Sequence, residues 1–372
     1  MKICLIQPYD ARRHYYAMIP SAGLASLAAV CGRDGHSVRI IDALAHRLSP
    51  GRIADLARRE RPDVAGVTFF TPDHAAVRET VRELAEAFHE IRLDDRADKL
   101  TERAERILAA FQHTLLSDGV LAGMAYFESG TPRFMLHPRD EETGIHYSVL
   151  AMIHAILSDM FTPEQAAEHL ALIEKYLTGP DGVRLFDKPL AYRGGVMTNF
   201  QRAETASYFG REIGIMYTHA HLRFAEALAH IGDADGFLQA LCKTCPIGLQ
   251  ELVPSAAPRQ ANCYFSSSDG AFSDRYEASE HYASLLDGDV ALEGGWRVYS
   301  SGAGIGVRLI VQRLLGITVC RDHWILDPVI PCSLDGLEVT LSFGKSVMTI
   351  RYRIGSAGCG VRAVKFNGTE LP

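Results

Sequence analysis

Three short apolar runs punctuate the first ninety residues, and the segments between them fix what this part of the chain can fold into. Lys2 to Gln7 is a short apolar strand ending at Pro8. His36-Ser37-Val38-Arg39-Ile40-Ile41-Asp42 reads as a second strand, and Pro62-Asp63-Val64-Ala65-Gly66-Val67-Thr68-Phe69-Phe70 as a third, buried one. Between and after them, Ser21 to Cys31, Pro50 to Arg59 and Pro72 to His89 carry helical patterns, with Gly32 to Gly35 as a helix stop. Strands alternating with helices in units of about 30 residues predict parallel pairing and helices on the sheet faces.

Beyond residue 90 the alternation ends. Glu90 to Asp118 is strongly charged, with Leu100, Ala104, Ile107, Leu108, Phe111 and Leu115 at helical spacing, and Asp118-Gly119 stops it. Helices are then expected over Tyr147 to Met160, Thr162 to about Leu177 and Tyr217 to His230. Thr162 has the chemistry of an N-cap, Pro163 suits the first helical position, and Gly179-Pro180 and Gly232 read as stops. Antiparallel helical hairpins with long polar loops on one side suggest an α/α barrel or toroid. The tail alternates in Glu338 to Phe343 and Val347 to Arg353, which predicts antiparallel strands, and Asn367-Gly368 marks a hairpin turn.

Composition excludes some functions. The 372 residues carry a net charge of −7, so no basic excess exists to neutralise nucleic-acid phosphates. No run of about 18 apolar residues suggests a membrane span, and the start of the chain lacks a signal-peptide pattern. Eight scattered cysteines without framework spacing fit a reducing cytoplasm.

The densest chemistry lies in Asn262 to Ile305. It opens on Asn262-Cys263-Tyr264-Phe265-Ser266-Ser267-Ser268-Asp269-Gly270-Ala271-Phe272-Ser273-Asp274-Arg275-Tyr276-Glu277-Ala278 and closes on Gly294-Gly295-Trp296-Arg297-Val298-Tyr299-Ser300-Ser301-Gly302-Ala303-Gly304-Ile305. Aromatic platforms among short donors and acceptors suit a sugar, and hydroxyls beside glycines suit an oxyanion. The alternative is a polar, turn-rich segment that caps helices. The loops His137-Pro138-Arg139-Asp140, Asp187-Lys188-Pro189, Tyr192-Arg193-Gly194-Gly195 and Arg202-Ala203-Glu204 offer further polar groups, either for a site where loops converge or as loop caps and surface ion pairs. His219 and His221 flank Ala220 near a helix start, where two rings at that spacing cannot share one face. One could face a pocket while the other packs. No carboxylate or cysteine cluster joins them, so no metal site is expected. Cys242-Lys243-Thr244-Cys245 is a lone CxxC after a helix, without the second pair of a zinc site or the context of a redox motif.

Two family resemblances follow from these residues. Pro20 to Ala29, Gly35 to Ala43 and Pro62 to Thr68 resemble the cobalamin-binding domain found ahead of many radical S-adenosylmethionine enzymes. The Cys-x3-Cys-x2-Cys iron–sulfur spacing and the Asp-x-His-x2-Gly motif that places a His on cobalt are both absent. Cobalamin is therefore not the expected cofactor, and a cobalamin-binding module with a helical partner-binding region is kept as the alternative reading.

Residues 118 to about 345 resemble glycoside hydrolase family 94, the inverting β-glucoside phosphorylases, in the flavour of 1,2-β-oligoglucan phosphorylases and the related domain of cyclic β-1,2-glucan synthases. The likeness runs through Leu136 to Asp140, Pro180 to Leu185, Arg202 to Glu204, Phe209 to Gly214, Tyr217 to His221, the Asn262–Ile305 stretch and Ile325 to Pro331. It implies an acid that protonates the glycosidic oxygen while phosphate attacks the anomeric carbon from the opposite face, giving α-glucose 1-phosphate. It implies His219, Ser300 and Ser301 as phosphate-binding residues. Arg193, Arg202, Glu204, Asp274, Arg275 and Glu277 are candidates for the substrate-binding lining. Inorganic phosphate is then a co-substrate and no metal is implied.

The family's general acid lies in an Asp- and Trp-rich segment upstream of the matched motifs. The two tryptophans here are Trp296 and Trp324, and Asp94-Asp95 is not that segment in context, so the catalytic acid is unassigned. A twelve-helix toroid needs on the order of 300 residues, and about 210 lie between Leu115 and Arg321.

The sequence therefore predicts a mixed, multi-domain chain. A cobalamin-domain-like α/β segment covers 1–90 and a connecting helix 91–117. An incomplete (α/α)6 toroid covers 118–324, and antiparallel β-sandwich strands cover 325–372. The expected partners are a β-linked gluco-oligosaccharide and phosphate, with a homodimer or a complementing toroid fragment as further possibilities.

Overall fold

The computed structural model describes residues 1–9, 22–68, 74–90, 94–128, 130–200, 204, 215–295, 300–319, 324–343, 346–356 and 358–370. It divides into two units, one built on Met1–Gln112 and the other on His113–Thr318 with His323–Pro372.

The first unit has the predicted parallel sheet. Its strands are β1 (Lys2–Gln7), β2 (Ser37–Asp42) and β3 (Val64–Val67), in the order β2-β1-β3, and both pairings of β1 are parallel. Its helices are α1 (Ala22–Arg33), the short α2 (Ala43–His46), α3 (Pro50–Glu60), α4 (His74–Glu90) and α5 (Asp94–Thr114). The start of α3 is coded locally. Ser49 accepts a hydrogen bond from the Arg52 amide and Pro50 occupies the first turn. β1 is central, so both of its faces are covered. Cys4 and Ile6 pack with Ile53, Ala54, Ala57 and Leu84, while Ile3 and Leu5 pack with Leu24.

The second unit begins with two hairpins that helical periodicity does not signal. They are β4 (Leu116–Ser117) with β5 (Val120–Leu121), and β6 (Met124–Glu128) with β7 (Thr131–Met135). Asp118 and Gly119 turn the first with positive φ values of 50° and 76°, and Gly130 (φ 86°) turns the second. Next come α6 (Val149–Leu157) and α7 (Pro163–Leu177). At α7 the expected cap is a full capping box, with Thr162 accepting from the Gln165 amide and Gln165 accepting from the Thr162 amide.

The small hairpin β8 (Thr178–Gly179) and β9 (Gly182–Val183) follows, and then the short strand β10 (Met216–Tyr217). Helix α8 (Thr218–His230) is buried almost all round, so it is the axis of this unit rather than a surface helix. Its apolar side chains share one core with α6, α7, α9 (Ala234–Cys242) and α12 (Ser300–Leu309). Ile153, Ile173, Leu177, Ala225 and Phe237 are among its most deeply buried members. Each such Ile, Leu or Phe side chain contributes on the order of 1.5–3 kcal/mol by leaving water.

A second small core lies around α10 (Leu249–Leu252) and α11 (Arg275–Asp287), with Val253, Tyr282, Leu285 and Leu292 at its centre. Strands β11 (Ser267–Gly270) and β12 (Leu292–Gly294) join β10 in an antiparallel sheet of order β10-β11-β12. The tail holds β15 (Glu338–Phe343) and β16 (Ser346–Arg351), preceded by β13 (Ile317–Val319) and β14 (Trp324–Leu326). It closes with the hairpin β17 (Lys365–Phe366) and β18 (Thr369–Glu370), turned at Asn367 and Gly368 with φ 48° and 85°. Both signs are positive, which is why an Asn-Gly pair stands there. The architecture is thus a parallel three-stranded sheet in one unit, and helices with small antiparallel sheets in the other.

Candidate functional site

The sheet β10-β11-β12 delivers the chain into α8. Met216 pairs with Ser268 and Tyr217 with Ser267, so the first turn of α8 starts at the sheet edge. Thr218 fastens this start twice. Its amide donates to the Ser266 carbonyl (3.0 Å) and its hydroxyl to the Phe265 carbonyl (2.9 Å). Tyr217, at the N-cap position, makes no side-chain cap bond. Among the described residues no acidic side chain lies in the first turn of α8 and its N-cap makes no side-chain cap bond, so an anion there would meet the positive end of the helix dipole.

His219 lies in this first turn and stacks on Tyr217, with ring centroids 5.8 Å apart and planes 12° apart. Burial lowers its pKa, and the nearby Arg223 guanidinium lowers it further. His219 is therefore neutral at pH 7 and can donate to an oxyanion or accept from it.

His221 has a different role. It is 1% exposed, accepts from the Val183 amide at Nδ1 (3.2 Å), and turns Nε2 to the Ala240 carbonyl (2.9 Å). Desolvation pushes its pKa down to about 4. It ties the β8–β9 hairpin to α9 through α8, so of the two histidines it is the packing one.

Tyr264 joins the start of α8 to the start of α12. Its hydroxyl is within hydrogen-bonding reach of the Thr218 side chain, and burial pushes its pKa up to about 12. The ring rests against the Cα of Gly302, where a Cβ would meet Tyr264 Cζ at 2.5 Å. A side chain at 302 would have to displace the ring. Ser300 and Ser301 form the first turn of α12. Their backbone is described, and their side chains lie outside the described residues. The sequence candidates His219, Ser300 and Ser301 thus occupy the first turns of two helices that meet at one tyrosine.

A second group gathers at the start of α11. Arg275 is 2% exposed, donates to the Leu190 carbonyl (2.7 Å) and lies 5.2 Å from the Tyr192 ring centroid. Tyr192 meets Tyr276 edge to face, with centroids 6.0 Å apart, and Tyr276 is 61% exposed. Glu204 is buried and accepts from the amides of Thr198 and Asn199. Its burial works against ionisation, but these amides and the exposed Arg193 outweigh it and lower the pKa.

Asp274 is the N-cap of α11, accepting from the amides of Tyr276 and Glu277 at 2.9 Å each. Glu277 accepts from the Ser273 amide (2.6 Å). These two carboxylates therefore fix the turn that presents Tyr276 and Arg275. Arg202 lies outside the described residues.

The other polar loop residues hold backbone. Asp140 accepts from the amides of Leu136, Glu142 and Thr143 and from the Thr143 hydroxyl. Asp187 accepts from the amides of His146 and Tyr147, and buried His137 turns Nε2 to the Ser117 carbonyl. Cys242 and Cys245 are free thiols, and no group of three or more potential metal ligands occurs among the described residues.

Two features lay outside the sequence candidates. Glu226 is 6% exposed and pairs with Arg223 (2.5 Å) on its own helix and with Arg308 (2.7 Å) on α12. Burial would raise its pKa, but the arginines outweigh it and hold the carboxyl at about 2. The i,i+3 spacing of Arg223 and Glu226 was readable in the sequence, whereas the partner Arg308 is 82 residues away. The second feature is Asp181, in the turn of the β8–β9 hairpin, with Arg184, a fully buried pair at 2.5 Å.

In the first unit, a cavity of about 600 Å³ is lined by Leu5, Leu24, Leu27, Val30, Gly66, Val67 and neighbours. No His, Cys or carboxylate is among these lining residues.

Comparison with known proteins gives two matches. A family model described as B12 binding domain matches residues 11–93. The chain is 39% identical over 277 residues, 74% of its length, to a 1,2-beta-oligoglucan phosphorylase of Listeria innocua serovar 6a. It spans 25% of that relative's length. No helix of the described residues is long and apolar enough to cross a membrane.

Proposed function

We propose that this chain binds inorganic phosphate and a β-1,2-linked gluco-oligosaccharide on one wall of a phosphorylase site. The reaction served is phosphorolysis to α-glucose 1-phosphate. The observation that carries the reading is the meeting of the α8 and α12 first turns at Tyr264, on a chain 39% identical to a β-oligoglucan phosphorylase. In this reading His219 and the Ser300–Ser301 turn hold the phosphate. Neutral His219 donates to a phosphate oxygen, and the helix amides supply further donors. Tyr276, fixed by the caps Asp274 and Glu277, faces the sugar with Tyr192 and Arg193, while buried Arg275 braces Tyr192 from behind and Glu204 and Arg202 complete the polar lining. The helices of the second unit, with their small sheets, would form part of an (α/α)6 toroid followed by sandwich strands.

Phosphate is an anionic nucleophile, so the wall needs no base. The reaction does need a proton donor on the far side of the sugar. We assign that donor to a complementing toroid segment, and the chain by itself then binds without turnover. Titration calorimetry with sophorose and phosphate tests this. Saturable binding of sophorose strengthened by phosphate supports the reading. Absence of binding with either ligand refutes it, and robust glucose 1-phosphate release by the chain alone refutes the assignment of the donor.

The B12 binding domain match favours a second reading for the first unit. The fold suits such a domain, since β2-β1-β3 is parallel with helices after each strand. The donors do not. The cavity on the α1 side is apolar, and its lining offers no side chain that ligates cobalt. The described cavity lining thus fits a cobalamin-type scaffold but offers no cobalt ligand, and no step of the chemistry here passes through a corrin.

A further inference from the structure

Five buried polar atoms of one charged cluster make no hydrogen bond among the described residues. They are Asp181 Oδ2 and Arg184 Nε and Nη2 on the β8–β9 hairpin, Asp269 Oδ1 on β11, and Arg259 Nε in the segment before β11. Asp181 and Arg184 are fully buried. The remaining atoms of these groups are engaged. Arg184 Nη1 donates to Asp181 Oδ1 (2.5 Å) and to the Gly182 carbonyl (3.0 Å), and Arg259 Nη2 donates to the Ser268 hydroxyl (2.8 Å). Asp269 accepts from the Ser267 side chain, and burial pushes its pKa up to about 6 against that bond. Arg184 and Arg259 also favour its ionisation, and Asp181 opposes it, so the four groups act on one another. Of the charged groups next in reach, Lys243 is matched by Glu174, and His221 is neutral at pH 7.

A buried donor or acceptor without a partner is destabilising, so this cluster calls for a further group. The chemistry of the five atoms selects it. Three are N–H donors and two are carboxylate oxygens, so the occupant must both accept and donate. An anion would satisfy the donors but stand against two carboxylates. A cation would satisfy the carboxylates but stand against two guanidinium groups. Water does both and adds no charge to a cluster that already balances.

We propose that ordered water bridges Asp181, Arg184, Arg259 and Asp269, and that Asp269, braced by it, is a positioning residue for the phosphate wall. The water accepts from the guanidinium N–H groups and donates to the two carboxylates, joining the β8–β9 hairpin to β11. Asp269 passes this support on through Ser267. Ser267 pairs with Tyr217, two residues before His219. Gly295 lies over the same two side chains. Its amide donates to the Ser267 carbonyl (3.0 Å), and a Cβ there would meet the Ser267 hydroxyl oxygen and, at 2.9 Å, Asp269 Oδ2. The strands that lead toward His219 and toward Ser300 are thus held at one buried carboxylate. The positioning role rests on the phosphate site proposed above, whereas the water site stands without it.

The first measurement needs no variant. Crystals of the full chain, diffracting well enough to show ordered water, should give a peak about 2.7–3.2 Å from Arg184 Nε or Nη2 and from Asp181 Oδ2 or Asp269 Oδ1. No peak, or a peak held by N–H groups alone as an anion would be, overturns the water site. Titration calorimetry with inorganic phosphate then tests the positioning role in wild type, Asp269→Asn and Asp269→Leu. Asparagine keeps an acceptor for Ser267 and a polar atom for the water, so it should bind within about threefold of wild type. Leucine has a similar size and neither group, and should bind about tenfold more weakly. Equal affinity in wild type and folded Asp269→Leu, or equal weakening in both variants, overturns the positioning role and leaves the phosphate site standing. Failure of wild type to bind phosphate overturns that site and the positioning role with it, while the diffraction result still decides the water.

Discussion

Replacing Gly302 with alanine sets two physical effects against each other. Gly302 is the third residue of α12. In a helix, alanine is favoured over glycine by about 1 kcal/mol, so propensity alone predicts a more stable protein. Packing predicts the reverse. The new Cβ would fall on the Tyr264 ring, with Cζ at 2.5 Å and Cε2 at 3.1 Å, and the hydroxyl oxygen nearer still. Tyr264 is half-buried and its hydroxyl reaches Thr218, so the ring cannot turn aside without disturbing the start of α8. Overpacking of this kind costs typically about 1–3 kcal/mol. So close a contact belongs near the upper end, which leaves a net loss of about 2 kcal/mol after the propensity gain.

Trp324 belongs to the second unit, so its fluorescence during urea unfolding reports on that unit. The midpoint should fall in Gly302→Ala. The double variant with Tyr264→Ala should show coupling of at least about 1 kcal/mol, because removing the ring removes the clash. A raised midpoint in Gly302→Ala would refute the packing of Tyr264 between the two helices. Additivity with Tyr264→Ala would refute it equally.

Breaking the buried Asp181–Arg184 pair by Asp181→Asn should cost about 3–5 kcal/mol, since both side chains are fully buried and an uncompensated guanidinium remains. A loss under about 1 kcal/mol in urea unfolding would contradict that burial. Asp269 gives a pH-dependent test. Desolvation pushes its pKa up to about 6 from 3.8, so the folded state binds the proton more tightly and the ionised carboxylate destabilises it. Asp269→Asn should therefore be more stable than wild type above pH 6, by about 3 kcal/mol, with the advantage vanishing as pH falls to about 4. A pH-independent difference in melting temperature would sink this. His221 runs the other way. Its pKa of about 4 lies below the ordinary 6.5, so its contribution is complete above pH 6.5 and is lost as pH falls toward 4. In the Asp269→Asn background, where the opposing carboxyl is gone, acid destabilisation over that window should amount to about 3 kcal/mol, and a flat profile would refute it.

What was legible in the sequence was local. The cap at Thr162, Pro163 and Gln165 involves contacts three residues apart, so the pattern alone shows it. The three parallel strands were legible because each is an apolar run between helix signals. The spacing of His219 and His221 showed that they serve different faces, and the structure gives one to Tyr217 and the other to the core. The Asp274-to-Glu277 spacing had two meanings. As Asp-x-x-Glu before a helix it is a capping signature, and both carboxylates do hold the start of α11. The hairpin of β6 and β7 lies between helical stretches, and its turn at Gly130 was the only strong signal.

The interactions across long stretches of chain were not legible. Glu226 with Arg308 and Tyr264 with Gly302 depend on how α8 and α12 pack, and no periodicity encodes a pairing of that kind. These contacts bring the candidate phosphate residues into one place, so the sequence could name His219, Ser300 and Ser301 without showing what holds them together.

The central claim is that the first turns of α8 and α12 form one phosphate-binding wall. Phosphate titration of the 15N-labelled chain, followed by amide chemical shifts, tests it most directly. Saturable shifts concentrated at residues 217–219 and 300–303, with the His219 ring resonances moving in step, are the predicted result. Shifts that do not saturate, or that concentrate elsewhere in the chain, would contradict it.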